Sequence, residues 1–159
     1  MKTDVMIKEI TQEDLVNLFS TAFYSSDHFE AWYDHFTDIE RDEDDCYEDV
    51  MAKILLNHGR ICVTDRIAED GEVYGNLSCE VKENEDYDDV LNTTYFLTLD
   101  DIVRGLERAA NGTFNANDED DILCAQRSFH SFAYDDRYWD AVRADILMQI
   151  ILFDEIVYC

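Results

Sequence analysis

The stretch from Arg60 to Gly112 contains RICVTDRIAEDGEVYGNLSCEV at 60–81 and TTYFLTLDDIVRGLERAANG at 93–112, and its reading decides the fold. Ile61-Cys62-Val63-Thr64 and Val73 to Val81 are rich in strand-forming residues and flank Ala68 to Glu72, where Asp70-Gly71 is a turn signal. Such a pattern predicts a β-hairpin over about 60–81. Thr93 to Thr98 predicts a third strand. Thr98, with Asp101 three positions on, then has the signature of a helix cap. Leu99, Ile102, Val103, Leu106 and Ala110 follow at helical spacing, and Asn111-Gly112 supplies the stop.

Outward from this segment, helical periodicity predominates. After Thr11, with Asp14 as its capping partner, Leu15, Leu18, Phe19, Ala22 and Phe23 share one face. Phe29, Trp32, Tyr33 and Phe36 form a second stripe after Ser26 or Asp27, and Tyr47, Val50, Met51, Ile54 and Leu55 form a third that ends at His58-Gly59. Past the loop Asn115 to Asp118, helices are expected from about Glu119 to Phe132 and from about Arg137 to Phe153, with Ile156-Val157-Tyr158 as a short terminal strand. The expected architecture is α+β, with five or six helices packed around a small antiparallel sheet. Residues 1–159 read as a single acidic globular domain, divisible at most into a helical part at 1–59 and a mixed part at 60–159.

Charge bounds the function. The 159 residues hold 38 Asp plus Glu against 12 Lys plus Arg, a formal net charge of −26. The excess is spread over both halves of the chain. Hydrophobic residues make up 47% and aromatic residues 13%, which is enough for a core and argues against disorder. A body this negative repels phosphate, so direct binding to nucleic acid or to an anionic membrane is not expected, and the partner should be basic.

The N-terminal residues lack the apolar run of a secretory signal. The longest apolar run, near Ile146 to Phe153, is far shorter than the ~20 residues of a membrane span. Five cysteines without a C-x-x-C pair indicate neither a disulfide framework nor a zinc ribbon. The expected location is therefore a reducing cytoplasm.

The sequence carries no recognisable catalytic or metal-binding motif. From Asp38 an EF-hand loop would place Glu43 where glycine is required, and from Asp118 it would place Leu123 there. His28, His35, His58 and His130 lack zinc-site spacing, and no phosphate-binding glycine loop or nucleophile elbow occurs. The reading is a protein without catalytic residues, metal or cofactor.

The carboxylates are bunched. One cluster holds Asp38, Glu40, Asp42, Glu43, Asp44, Asp45, Glu48 and Asp49 against Arg41 alone. A second holds Glu80, Glu83, Glu85, Asp86, Asp88 and Asp89 against Lys82, and a third is Asp118-Glu119-Asp120-Asp121. Helix starts favour one or two acids each. They do not account for the whole excess, because crowded like charges destabilise the compact state. Duplex DNA carries one charge per ~1.7 Å, so 26 charges correspond to about 44 Å of duplex, close to the ~40 Å diameter of a globule this long. Acids so arranged can stand in for phosphates, with Tyr47, Tyr87, Tyr134, Tyr138 and Trp139 as candidate anchors, although Tyr47 and Trp139 also fit core stripes.

A small, proline-free acidic domain with Asp42-Glu43-Asp44-Asp45 and Asp118-Glu119-Asp120-Asp121 resembles the DNA-mimic counter-defence proteins of phages and mobile elements, of anti-CRISPR and antirestriction type. Tyr95 to Gly112 and Ala144 to Cys159 also look like segments of small accessory proteins of bacterial mobile elements. The first resemblance implies non-enzymatic inhibition in the cytoplasm of a bacterial host cell. The mimic occupies the positively charged DNA site of a defence complex, a CRISPR effector in preference to a restriction enzyme. The implied partner is a basic DNA-binding protein or nucleoprotein complex of the host, met through the clustered acids from Asp38 to Asp49, from Glu83 to Asp89 and from Asp118 to Asp121. The alternatives are an acidic chaperone that sequesters a basic host protein and a metal-dependent hydrolase with dispersed carboxylates. The sequence leaves open a homodimer that would lengthen the acidic face.

Overall fold

Thr98 closes a strand and caps a helix. Its backbone leaves the sheet in an extended conformation, its hydroxyl accepts from the Asp101 amide, and the Asp101 carboxylate accepts from the Thr98 amide at 2.9 Å. Thr11 and Asp14 make the same reciprocal pair at the first helix, and Asp118 and Asp140 cap the last two.

A computed structural model describes residues 4–7, 9–24, 27–34, 37–84, 86–87, 89–134 and 137–158. Among these residues the order is α1 (Gln12–Tyr24), β1 (Phe29–Trp32), α2 (Tyr47–Leu56), β2 (Arg60–Asp65), β3 (Cys79–Glu83), β4 (Leu91–Thr98), α3 (Leu99–Asn111), α4 (Glu119–Ala133) and α5 (Ala141–Phe153). Five helices and a four-stranded antiparallel sheet make an α+β fold, as expected. No described helix is long and apolar enough to cross a membrane.

The expected hairpin over 60–81 is not formed. The strand order is β1-β2-β4-β3, and β4 lies between the two segments that were to pair. Tyr95 opposes Val63 on one side and Cys79 on the other. The reason lies at Asp65, whose buried carboxylate accepts from the amides of Ile67 (2.9 Å) and Ala68 (3.1 Å) and turns the chain away from the sheet. Asp70 and Gly71 do form a tight turn with positive φ, but it belongs to a crossover between two parallel strands.

The stripe at Phe29 to Phe36 is also corrected. Phe29–Trp32 is an edge strand paired with β2, its Phe29 buried and its Glu30 exposed. A short aromatic run fits both periods, and pairing with β2 decides for the strand. Phe36 lies outside the described residues. The last helix starts at Ala141 rather than 137, the left-handed residue after α2 is His58 rather than Gly59, and Ile156 to Tyr158 form no strand.

The helices lie against one face of the sheet. Strand alternation puts Phe29, Ile61, Val63, Tyr95 and Leu97 on that face, and all five are buried. Residues Ala144 to Phe153 of α5 are buried all round, as a helix enclosed by α1, α3, α4 and the sheet must be. Phe153 joins the layers, its ring 5.4 Å from Tyr95 and 5.9 Å from Phe29.

Candidate functional site on the acidic surface

The sheet's open face carries Glu30, Trp32, Arg60, Cys62, Thr64, Glu80, Lys82, Thr94 and Phe96. Its acids are paired, Glu30 with Arg66 at 3.1 Å and Glu80 with Lys82 at 3.3 Å, while Arg60 lies over the Phe96 ring. The surplus of acid therefore lies elsewhere, on the connections.

The first cluster divides by role. Lys53 reaches back from α2 to Asp45 at 2.6 Å and to Asp42 at 3.1 Å, pinning the loop along the helix. Asp49 accepts from the Cys46 amide, the Cys46 thiol and the Gln12 side chain, and so holds the start of α2. Glu48 is buried at 7% exposure. Four of the expected surface acids thus serve the fold, while Asp38, Glu40, Glu43 and Asp44 are exposed and meet no cation among the described residues.

In the second cluster Glu83 ends β3, and Asp86 and Asp89 stand exposed on the turn into β4, beside the exposed Tyr87. Glu85 and Asp88 lie outside the described residues. In the third, Asp118 caps α4 and Asp121 accepts from the Asn117 amide, which leaves Glu119 and Asp120 exposed on the first turn. The clusters occupy three separate connections, β1 to α2, β3 to β4 and α3 to α4. Tyr134 and Tyr138 are exposed, whereas Tyr47 and Trp139 pack against the core.

Titration follows these roles. A hydrogen bond from Lys53 holds the Asp45 carboxyl below its ordinary value, and one from the Cys46 thiol does the same for Asp49. Burial pushes Glu48 up, but hydrogen bonds from Cys46, the backbone and Tyr24 outweigh it and leave the carboxyl lowered. The Cys46 thiol, hydrogen-bonded to Asp49 and Glu48, is pushed up to about 11, so this exposed cysteine is a poor nucleophile.

Carboxyls whose folded pKa lies below the unfolded one stabilise fully above the unfolded value and lose that contribution as pH falls through the folded one. Asp49→Asn should therefore be less stable than the parent at pH 7, and the gap should begin to narrow near about pH 4 and close only below the depressed folded pKa, where the carboxyl is neutral in both the folded and the unfolded chain. Denaturant melts at several pH values check this; a gap that persists in acid would assign Asp49 a role that does not depend on its charge.

Sequence reading missed two features. Buried Asp65 and Asp145 organise a polar network: Asp145 meets the His28 imidazole at 2.8 Å, and Asp65 accepts from the Tyr158 hydroxyl at 2.9 Å. Arg60, Arg104 and Arg108 also converge on one cavity. The i,i+4 spacing of Arg104 and Arg108 on α3 was the one available signal. Among the described residues no group of three or more His, Cys, Asp or Glu is placed to hold a metal ion. The chain is thus an acidic α+β protein with an open sheet and three acid-bearing connections. It matches no family model, no curated protein and no solved structure.

Proposed function

We propose that this protein is a non-enzymatic DNA mimic that occupies the positively charged DNA-binding site of a bacterial defence complex, a CRISPR effector or a restriction enzyme. One observation carries the reading. After the structural acids are set aside, Asp38, Glu40, Glu43, Asp44, Glu83, Asp86, Asp89, Glu119 and Asp120 remain exposed with no cation partner among the described residues. Exposed carboxylates on the connections are poor general acids or bases, but they are suited to meeting Lys and Arg side chains that otherwise hold phosphates. Association with such a site is steered by charge and weakens steeply with salt.

The test is capture from a bacterial lysate on immobilised protein at about 50 mM and about 200 mM salt, followed by elution with duplex DNA. The expected result is a DNA-binding complex retained at low salt and displaced by DNA. Retention of many unrelated basic proteins, none displaced in competition with DNA, would replace mimicry by sequestration.

A further inference from the structure

A cavity of ≈ 430 Å³ opens where β2 begins and β4 ends, between the loop before β3, the exposed side of α3 and the end of α5. With acids outnumbering bases 38 to 12 over the whole chain, a cavity lined without bias would be acidic. This one is lined by Arg60, Arg104 and Arg108 against Asp101 and Asp154. Two of the guanidinia are held by tethers that leave donors unused. Arg108 Nε lies 2.8 Å from Asp154 Oδ1, and its Nη2 donates to the Ile150 carbonyl at 3.3 Å. Arg104 is anchored to Asp101 at 3.1 Å and to the Asp100 carbonyl at 3.3 Å.

Arg60 is the exception. Its Cζ sits 4.4 Å from the centroid of Phe96, and none of its five N–H groups meets an acceptor among the described residues. Asn76 and Ser78 add neutral donors to the wall. The loop that carries them packs closely on the end of α5, for Gly75 takes φ 72° and a Cβ there would stand 2.8 Å from the Leu152 carbonyl oxygen. Planar guanidinia with free N–H groups, held around a pre-shaped polar cavity, match the oxygens of a phosphate group.

We infer that this cavity binds a small phosphate-bearing ligand, with Arg60 and Arg104 donating to its oxygens and Arg108 supporting them from behind. The inference does not rest on DNA mimicry. The test is calorimetry and amide-shift NMR on the full chain, with inorganic phosphate and adenosine monophosphate as probes. Saturable binding is expected, with shifts centred on Arg60, Ser78 and Arg104, and Arg60→Ala or Arg104→Ala should weaken it about tenfold or more. Both side chains are on the surface, so the fold should survive; Arg60→Lys, which keeps the charge but loses the planar fork, should give an intermediate loss. Tighter binding of the nucleotide would place its ring on the open face of the Arg60 plane, and equal binding would confine recognition to the oxyanion. No saturation by either probe at about 10 mM, or affinity unchanged in both alanine variants, would overturn the site.

Discussion

Reversing Asp38, Glu40, Glu43 and Asp44 together to lysine is expected to abolish capture of the cationic target while leaving the thermal midpoint nearly unchanged. These carboxylates are exposed and make no contact with a cation among the described residues, so nothing in the fold depends on them. Each reversal removes one phosphate-like contact and places a like charge against the partner. At about 1 kcal/mol per contact, below the range for close buried charge pairs because these acids are exposed, the four together lower affinity about a thousandfold. The dependence of affinity on salt should flatten by about four counter-ions. Asp42 and Asp45 are the wrong choice for this experiment, since their loss frees Lys53 and loosens the loop. Binding measured against the captured complex decides the matter. Undiminished affinity in the fourfold variant would remove the first cluster from the interface and direct attention to Glu83, Asp86 and Asp89 or to Glu119 and Asp120.

Gln149→Leu should be the most damaging single change to stability, at about 3 to 4 kcal/mol. The side chain is fully buried in α5 and is used at both ends. Its Nε2 donates to Asp145 at 2.8 Å and to the Tyr158 carbonyl at 3.0 Å, while Oε1 accepts from the amides of Val157 at 2.9 Å and Tyr158 at 2.8 Å. Leucine fills the volume and satisfies none of these groups. The tail is then either held with unpaired amides or released, and release also strips Asp65 of the Tyr158 hydroxyl. At about 2 to 4 °C per kcal/mol for a chain of this size, the midpoint should drop by about 10 °C. Urea unfolding measures the loss, and hydrogen exchange at Val157 and Tyr158 reports whether the tail has left. A loss under about 1 kcal/mol would mean the tail contributes little to the fold.

Most of the helical layer was legible because helices are local. Thr11 with Asp14, Thr98 with Asp101, and Asn111-Gly112 each signal an end within a few residues of the chain, and α1 starts and α3 starts and stops at those signals. The apolar run Ile146 to Phe153, interrupted only by Gln149, likewise identified the buried helix. The sheet was less legible. Strand character at 60–64 and 93–98 was visible, but which strand lies beside which depends on partners some thirty residues apart, and the sequence carries no mark of them. Asp65 illustrates the difficulty: a carboxylate in an acidic chain reads as surface, yet it is fully buried and turns the main chain out of the sheet.

The candidate surface divides along the same line. Counting along the chain was enough to establish that the protein carries −26 and that its acids are bunched in three places, because net charge is a sum and order along the chain needs no geometry. Only the tertiary structure decided which carboxylates are available. Lys53, the start of α2 and the cap of α4 draw Asp42, Asp45, Glu48, Asp49, Asp118 and Asp121 into the fold, because a nearby cation or an unpaired amide stabilises a carboxylate more than water does. The same folding brought Arg60 from β2 together with Arg104 and Arg108 from α3, a grouping that charge counting could not reveal, since long-range packing and not proximity in the chain sets which charges meet.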